Sequence, residues 1–297
     1  MGKLLRGISK NAKFVICDTT DIVARAKDIH ECAPTTLDAF GRMLTAGVMM
    51  ASYLKGSELM TLKTESDGPL KAITVTADAA GAVKGFASDP GADLPRLEDG
   101  RYNVPALVGN GYLRVMKDLG LKEPYVGISE LVSGGIAKDL AYYYFTSEQT
   151  PTVISVSVHL SPEGAVLAAG GYLVQLLPGA EESFITALEQ KIDAILEITE
   201  LLEGGMSLRD IAELLYDDMG SEPKKRVEDF EILEEKSIEY RCNCSRERFR
   251  KGLAALGKTE LRKIFLEEKE EKLEVVCQFC KTKYYYKADD FKTFLED

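Results

Sequence analysis

Four cysteines near the C-terminal end constrain this chain more than any other feature. Cys242 and Cys244 form a Cys-x-Cys pair and Cys277 and Cys280 a Cys-x-x-Cys pair, with 32 residues between the two. Each pair supplies two sulfurs from one short turn, and two such turns brought together complete a tetrahedral tetrathiolate site for zinc. Two separate reducible dithiols, four buried free thiols and a sulfur-ligated iron are other readings of the same residues. The segment between the pairs favours a metal. It is polar and charged, with apolar residues for about two short helices, too few to hold a core unaided. Zinc bound there contributes folding energy outright, on the order of 10 kcal/mol in small zinc peptides. Loss of the metal is therefore expected to unfold this part of the chain.

At 297 residues, 45% hydrophobic and 29% charged, the chain is long enough for two domains of ordinary soluble composition. No apolar run approaches the ~18 residues of a spanning helix. The first residues include basic ones but lack the apolar stretch of a signal peptide, and Arg6 stands where a myristoylation signal after Gly2 needs Ser or Thr. A cytoplasmic location without membrane partners is expected, where disulfides are conditional. Charge is uneven. Residues 181–240 carry 18 acidic against 6 basic side chains, while the net charge of the whole is -11. Residues 241–263 reverse this with 8 basic and 2 acidic. Such a patch could touch nucleic acid, although a solvated face is the commoner use.

Residues 1–178 read as one mixed α and β domain. A strand is expected at 13–17, and helices at 21–29 and 36–54, the second with Leu37, Phe40, Leu44, Val48 and Ala51 at helical spacing. Short strands follow at 59–64, 70–77 and 82–87, punctuated by Asp67-Gly68-Pro69 and by Gly81. Another strand is expected at 112–116 and a helix at 136–147. Alternation over 152–160 turns Ile154, Val156 and Val158 inward and Ser155, Ser157 and His159 outward. The stretch 165–177 closes the domain. Residues 179–235 then read as an acidic helical linker. Phe184, Leu188, Ile192, Ile195 and Leu202 mark one amphipathic helix, and Ser207 with Asp210 resembles a capping box opening a second. The polar residues 217–226 can bury little. Residues 236–297 complete an α+β architecture: a mixed sheet-and-helix domain, a helical linker and a small zinc-binding domain.

Several motifs are set aside. Residues 252–259 match G-x-x-x-x-G-K-[ST] letter for letter, but a phosphate-binding loop follows a strand, whereas this one reads as the end of a short helix closed by Gly257, with Thr259 capping the next. His30 and His159 stand far apart with no nucleophile arrangement, His159 on a polar strand face. Cys17 reads as a small core residue and Cys32 as a more exposed one. The tyrosine runs 142–144 and 284–286 read as core and hairpin packing. No catalytic residue is assigned and no enzyme is expected. A thiol oxidoreductase using Cys277 and Cys280 would need a βαβ setting that the motif lacks.

The cysteine pairs, together with GYLRVMKDLG at 111–120, PYVG at 124–127, DLAYYYFTSEQ at 139–149 and AGGYLVQLLP at 169–178, resemble the heat shock protein 33 family of redox-regulated chaperones over essentially the whole chain. The resemblance implies an ATP-independent holdase that prevents aggregation of unfolding proteins under oxidative stress. It implies one Zn(2+) per chain held by Cys242, Cys244, Cys277 and Cys280 in the silent reduced state. It further implies disulfides of Cys242 with Cys244 and of Cys277 with Cys280 on activation, zinc release, and homodimers of the active form. Zinc-held thiolates are the sulfur form that reacts with peroxide or hypochlorous acid. Phe184, Leu188, Ile192 and Ile195 are the candidate client-binding stripe, with a purely structural docking role as the equal alternative. The alternative function is a constitutive zinc-ribbon module binding nucleic acid through residues 241–263.

Overall fold

The computed structural model describes residues 1–217, 227–267 and 272–292. The chain divides into two compact units, Met1–Tyr240 and Arg241–Asp297. In order, the first unit holds β1 (Gly2–Ser9), β2 (Ala12–Asp18), α1 (Thr20–His30), α2 (Pro34–Ala51), β3 (Leu59–Ser66), β4 (Ala72–Asp78), β5 (Ala82–Ala87), α3 (Val104–Val108) and β6 (Gly111–Asp118). It continues with β7 (Tyr125–Glu130), α4 (Ala137–Ser147), β8 (Thr152–Leu160), β9 (Val166–Leu176), α5 (Glu182–Ala194), α6 (Ile198–Glu203), α7 (Leu208–Tyr216) and β10 (Phe230–Tyr240).

The ten strands form one sheet in the order β7-β6-β3-β4-β5-β10-β1-β2-β9-β8. It is antiparallel except where Glu239 and Tyr240 of β10 pair in parallel with Ala82 and Val83 of β5. The sheet curls around α2. That helix packs on β3, β4 and β5 as well as on β8 and β9, and α4 touches both β7 and β8, the two outer strands. The sequence of α2 explains its place: 16 of its 18 residues are buried, which suits a helix with core on nearly every side. Gly41 and Gly47 let it lie close, since a Cβ there would sit 2.7 Å from Val158 and Val75 respectively.

Three strands bury both faces. In β2, Val15 and Cys17 join the core around α2, while Phe14 and Ile16 point the other way. Leu4 and Leu5 of β1 divide likewise, as do Leu173 and Val174 of β9. The second face is roofed by α5, α6 and α7, whose Phe184, Leu188, Ile198, Leu201, Ile211 and Leu215 are buried against it. Apolar runs without strict alternation are what two-sided burial produces.

Several expectations change. The single helix through Phe184 and Leu202 is two, because Ile195 and Glu197 take extended dihedrals that bring Ile198 and Leu201 onto β8 and β9. Ser157 is buried rather than outward, since α6 covers that face and Thr199 Oγ1 accepts its hydroxyl at 3.2 Å. Cys32 is 8% exposed and belongs to the core. The end of the expected linker, from Phe230, is strand β10, which pairs with β1 from Phe230 to Ile238 across one register shift. Of the polar stretch 217–226, residues 218–226 lie outside the described residues. The capping box of Ser207 and Asp210 opens α7 as expected.

Candidate metal centre

The second unit contains α8 (Arg246–Ala254), α9 (Lys258–Arg262), a π turn (Lys263–Glu267), the hairpin β11 (Leu273–Val276) and β12 (Lys283–Tyr286), and a 3-10 turn (Ala288–Phe291). Its buried core is small: Leu261, Phe265, Tyr286 and Phe291. Gly257, at φ 90°, is itself the residue before α9, so Thr259 lies inside that helix instead of capping it. Helix α8, not a strand, leads directly into residues 252–259, as the rejection of a phosphate loop requires.

Two short turns deliver the sulfurs. Cys242 and Cys244 run into α8, whose first turn is capped by Ser245 Oγ accepting from Arg248 N at 3.2 Å. Cys277 and Cys280 occupy the tip of the β11–β12 hairpin, where Cys277 N donates to Thr282 O at 2.9 Å and Lys281 adopts φ 57° to close the turn. The four Sγ atoms all lie within 4.8 Å of one another. Cys242 and Cys277 are 3.8 Å apart, and Cys244 and Cys280 3.4 Å. Four sulfurs each about 2.3 Å from a tetrahedral zinc ion stand about 3.8 Å apart, so this donor set fits zinc.

Electrostatics point the same way. Burial pushes the Cys242 thiol up to about 12, and burial also raises Cys277. Burial works against ionisation at Cys280 too, but the Thr282 hydroxyl, the Thr282 backbone and the neighbouring sulfurs bring it down to about 7. Without a cation beside them, Cys242 and Cys277 therefore resist ionisation. A dication is what would hold four thiolates together, and these cysteines could hold one.

The remaining candidates fall elsewhere. Cys17 is fully buried in the first unit, its thiol pushed up by burial. His30 is buried with Tyr240 Oη 3.1 Å from Nε2, and exposed His159 pairs with Glu203. Among the basic residues of 241–263, Arg246 pairs with Asp290, Arg250 with Glu247, and Arg248 donates to Asn243 O. Phe184 and Leu188 are buried, and Ile192 and Ile195 partly so, in the apolar roof over β1, β2 and β9. Two residues beside the sulfurs escaped the sequence reading: Tyr284 Oη stands 3.1 Å from Cys244 Sγ, and Thr282 Oγ1 3.2 Å from Cys280 Sγ. Their signal is the alternate spacing of hydroxyl residues after the Cys-x-x-Cys pair.

Comparison with known proteins agrees with this layout. A sequence model of the Hsp33 protein family matches residues 3–287. The 33 kDa chaperonin of Clostridium acetobutylicum is 40% identical over 299 residues, covering 99% of this chain and 97% of that one. The 33 kDa chaperonin of a Thermoanaerobacter species is 40% identical over 296 residues, covering 98% and 97%. The crystal structure of the 33 kDa chaperonin (heat shock protein 33 homolog) from Thermotoga maritima has a TM-score of 0.86 at 31% identity, covering 99% of this chain and 97% of that one. With the match spanning both units, the chain belongs to the Hsp33 family.

Proposed function

We propose that the chain is a redox-regulated, ATP-independent holdase of the cytoplasm, silent while reduced and loaded with one Zn(2+), and active toward unfolding proteins after thiol oxidation. The observation that carries the reading is the convergence of Cys242, Cys244, Cys277 and Cys280 within 4.8 Å. It occurs in a unit whose core cluster holds four buried side chains among its described residues, Leu261, Phe265, Tyr286 and Phe291. When bound, zinc would keep all four sulfurs as thiolates and supply the folding energy that so small a core lacks.

Oxidation follows from the sulfurs. In each pair, two thiolates and one hydrogen peroxide give one disulfide and two hydroxide ions, joining Cys242 with Cys244 and Cys277 with Cys280. Each disulfide would remove two of the four sulfurs, so the donor set that could hold the ion would be lost. The unit then loses its fold. The acidic segment bearing α5 to α7 then leaves the apolar surface it covers on β1, β2 and β9, which becomes available to clients. Active molecules associate as homodimers.

Light scattering from a heat-unfolding client, recorded with the reduced zinc-loaded chain and with the peroxide-treated chain while a chromophoric chelator follows released metal, tests the reading. Suppression of aggregation only after oxidation, in step with metal release, is expected. Equal suppression in both states, or none with the metal retained, overturns it.

A further inference from the structure

The strand after the Cys-x-x-Cys turn presents a row of hydroxyls. Tyr284 and Tyr286 alternate along it and so share one face, and Thr282 is the turn residue just before it. The hydroxyls of Thr282, Tyr284 and Tyr286 reach, in that order, Cys280 Sγ at 3.2 Å, Cys244 Sγ at 3.1 Å and the backbone carbonyl of Arg246 at 2.7 Å. A thiolate can only accept, so toward ligating sulfurs Thr282 and Tyr284 are the donors.

The two bonds differ in reach. Thr282 serves a sulfur two residues away within its own turn, whereas Tyr284 spans 40 residues of chain and ties the Cys-x-Cys loop to β12. Tyr284 is also fixed independently of the sulfur. It pairs with Val275 across the hairpin, and its ring packs 5.2 Å from that of Phe249 on α8. Contacts other than the sulfur therefore hold the Tyr284 ring in place, with its hydroxyl beside Cys244.

We propose that Tyr284 is a positioning residue of the four-sulfur site: its hydroxyl holds Cys244 in ligand geometry and slows that sulfur's reaction with oxidants. The inference rests on the zinc and redox reading above. A hydrogen bond donated to a thiolate draws electron density from the sulfur. Outer-shell partners of this kind commonly change metal affinity roughly 10- to 100-fold. The same withdrawal slows attack on peroxide, in which the thiolate sulfur bonds one peroxide oxygen, the O–O bond breaks, and hydroxide leaves a sulfenic acid behind. The neighbouring thiolate then attacks that sulfur, the S–O bond breaks, and a second hydroxide departs as the disulfide closes.

Tyr284→Phe in the full chain keeps the ring on Phe249 and removes only the hydroxyl. Three measurements separate positioning from mere packing. With cobalt(II) in place of zinc, the thiolate-to-cobalt charge-transfer band of Tyr284→Phe shifts to lower energy, because one sulfur becomes more electron-rich. Chelator competition on the zinc form shows affinity lower by roughly 10-fold. Brief hydrogen peroxide treatment with a sulfenic-acid trap, read by mass spectrometry, shows more trapped Cys244 than in the parent chain and several-fold faster metal release. An unshifted cobalt band with zinc affinity within twofold of the parent overturns the proposal. If the parent chain releases no metal on oxidation, the redox reading fails instead, while the cobalt band and the affinity still decide the role of Tyr284. Should Tyr284→Phe fold poorly, Thr282→Val applies the same cobalt and affinity tests to the parallel bond at Cys280, and no change there also counts against the hydroxyl row.

Discussion

Tyr216 Oη donates to Ser9 Oγ across 3.2 Å in a buried contact that joins the end of α7 to the end of β1, 207 residues apart in sequence. The tyrosine ring lies among Phe14 at 5.3 Å, Phe230 at 4.9 Å and Phe184 at 5.9 Å. This cluster fastens the roof of helices to the sheet. We expect Tyr216→Phe to cost about 1 kcal/mol and to raise amide exchange in α7. Tyr216→Ala, which also empties the space between three rings, should cost roughly 3–5 kcal/mol. If these helices cover the client surface, Tyr216→Ala binds a hydrophobic dye and suppresses aggregation while still reduced. Unchanged exchange in α7 of that variant would remove the ring as the fastening.

The stripe along α5, including Ile195, the residue that ends it, divides by burial. Phe184 and Leu188 are 4% and 5% exposed, whereas Ile192 and Ile195 are only partly covered. Leu188→Ala should weaken docking by about 2–5 kcal/mol and lower the oxidant dose needed for activity. A pair of charges, Ile192→Glu with Ile195→Glu, should instead abolish suppression of aggregation by the oxidised chain while the reduced chain keeps its metal. Full activity in the double variant would take both residues off the client surface.

Acid stability should depend on Glu148. Burial alone would raise its carboxyl, but the Lys117 ammonium and the Tyr143 hydroxyl, which donates at 2.6 Å, outweigh that and hold it below the ordinary value of 4.5. A carboxyl depressed on folding stabilises the folded state above its unfolded value and loses that contribution as pH falls through the folded one. Stability of the first unit should therefore decline below about pH 4.5, and Glu148→Gln should flatten that decline while lowering stability at pH 7 by roughly 1–3 kcal/mol. Urea midpoints at pH 7 and pH 3.5 measure both; identical pH slopes would show that another group carries the acid response.

What could be read from residues alone follows the physics of each segment. The sulfurs were legible because ligand spacing is a local property, and α2 and the meander of β3 to β5 because their periods are long and unbroken. Strand β1 was not: Gly2 to Ser9 has two leucines side by side, Leu4 and Leu5, which serve opposite faces of a sheet covered on both sides. Strand β10 hid in an acidic segment, although Phe230, Ile232 and Ile238 keep a period of two along it. Ser157 looks outward until α6 is in place, and Cys32 looks exposed although it joins the core around α2, since burial by distant elements leaves no local mark. Tyr284 read as packing, which is half of its role. Only the fold shows that the other half is a hydroxyl beside Cys244.

Cys277 is the sulfur whose loss should tell most. It is 2% exposed, it anchors the hairpin turn by donating its N–H to Thr282 O, and its Sγ stands 3.8 Å from that of Cys242. Serine keeps the backbone bond and the volume but offers a poor zinc ligand. In Cys277→Ser we expect zinc binding too weak to survive a moderate chelator, and loss of amide protection in α8, α9 and β12 together, because a core of four side chains cannot carry that unit. The core of the first unit, around α2, should keep its protection, since none of its residues belongs to the second unit. The reduced variant should then suppress client aggregation without peroxide. A Cys277→Ser chain that binds no zinc, keeps α8 and β12 protected and stays silent would break the link between metal, fold and activity on which the switch depends.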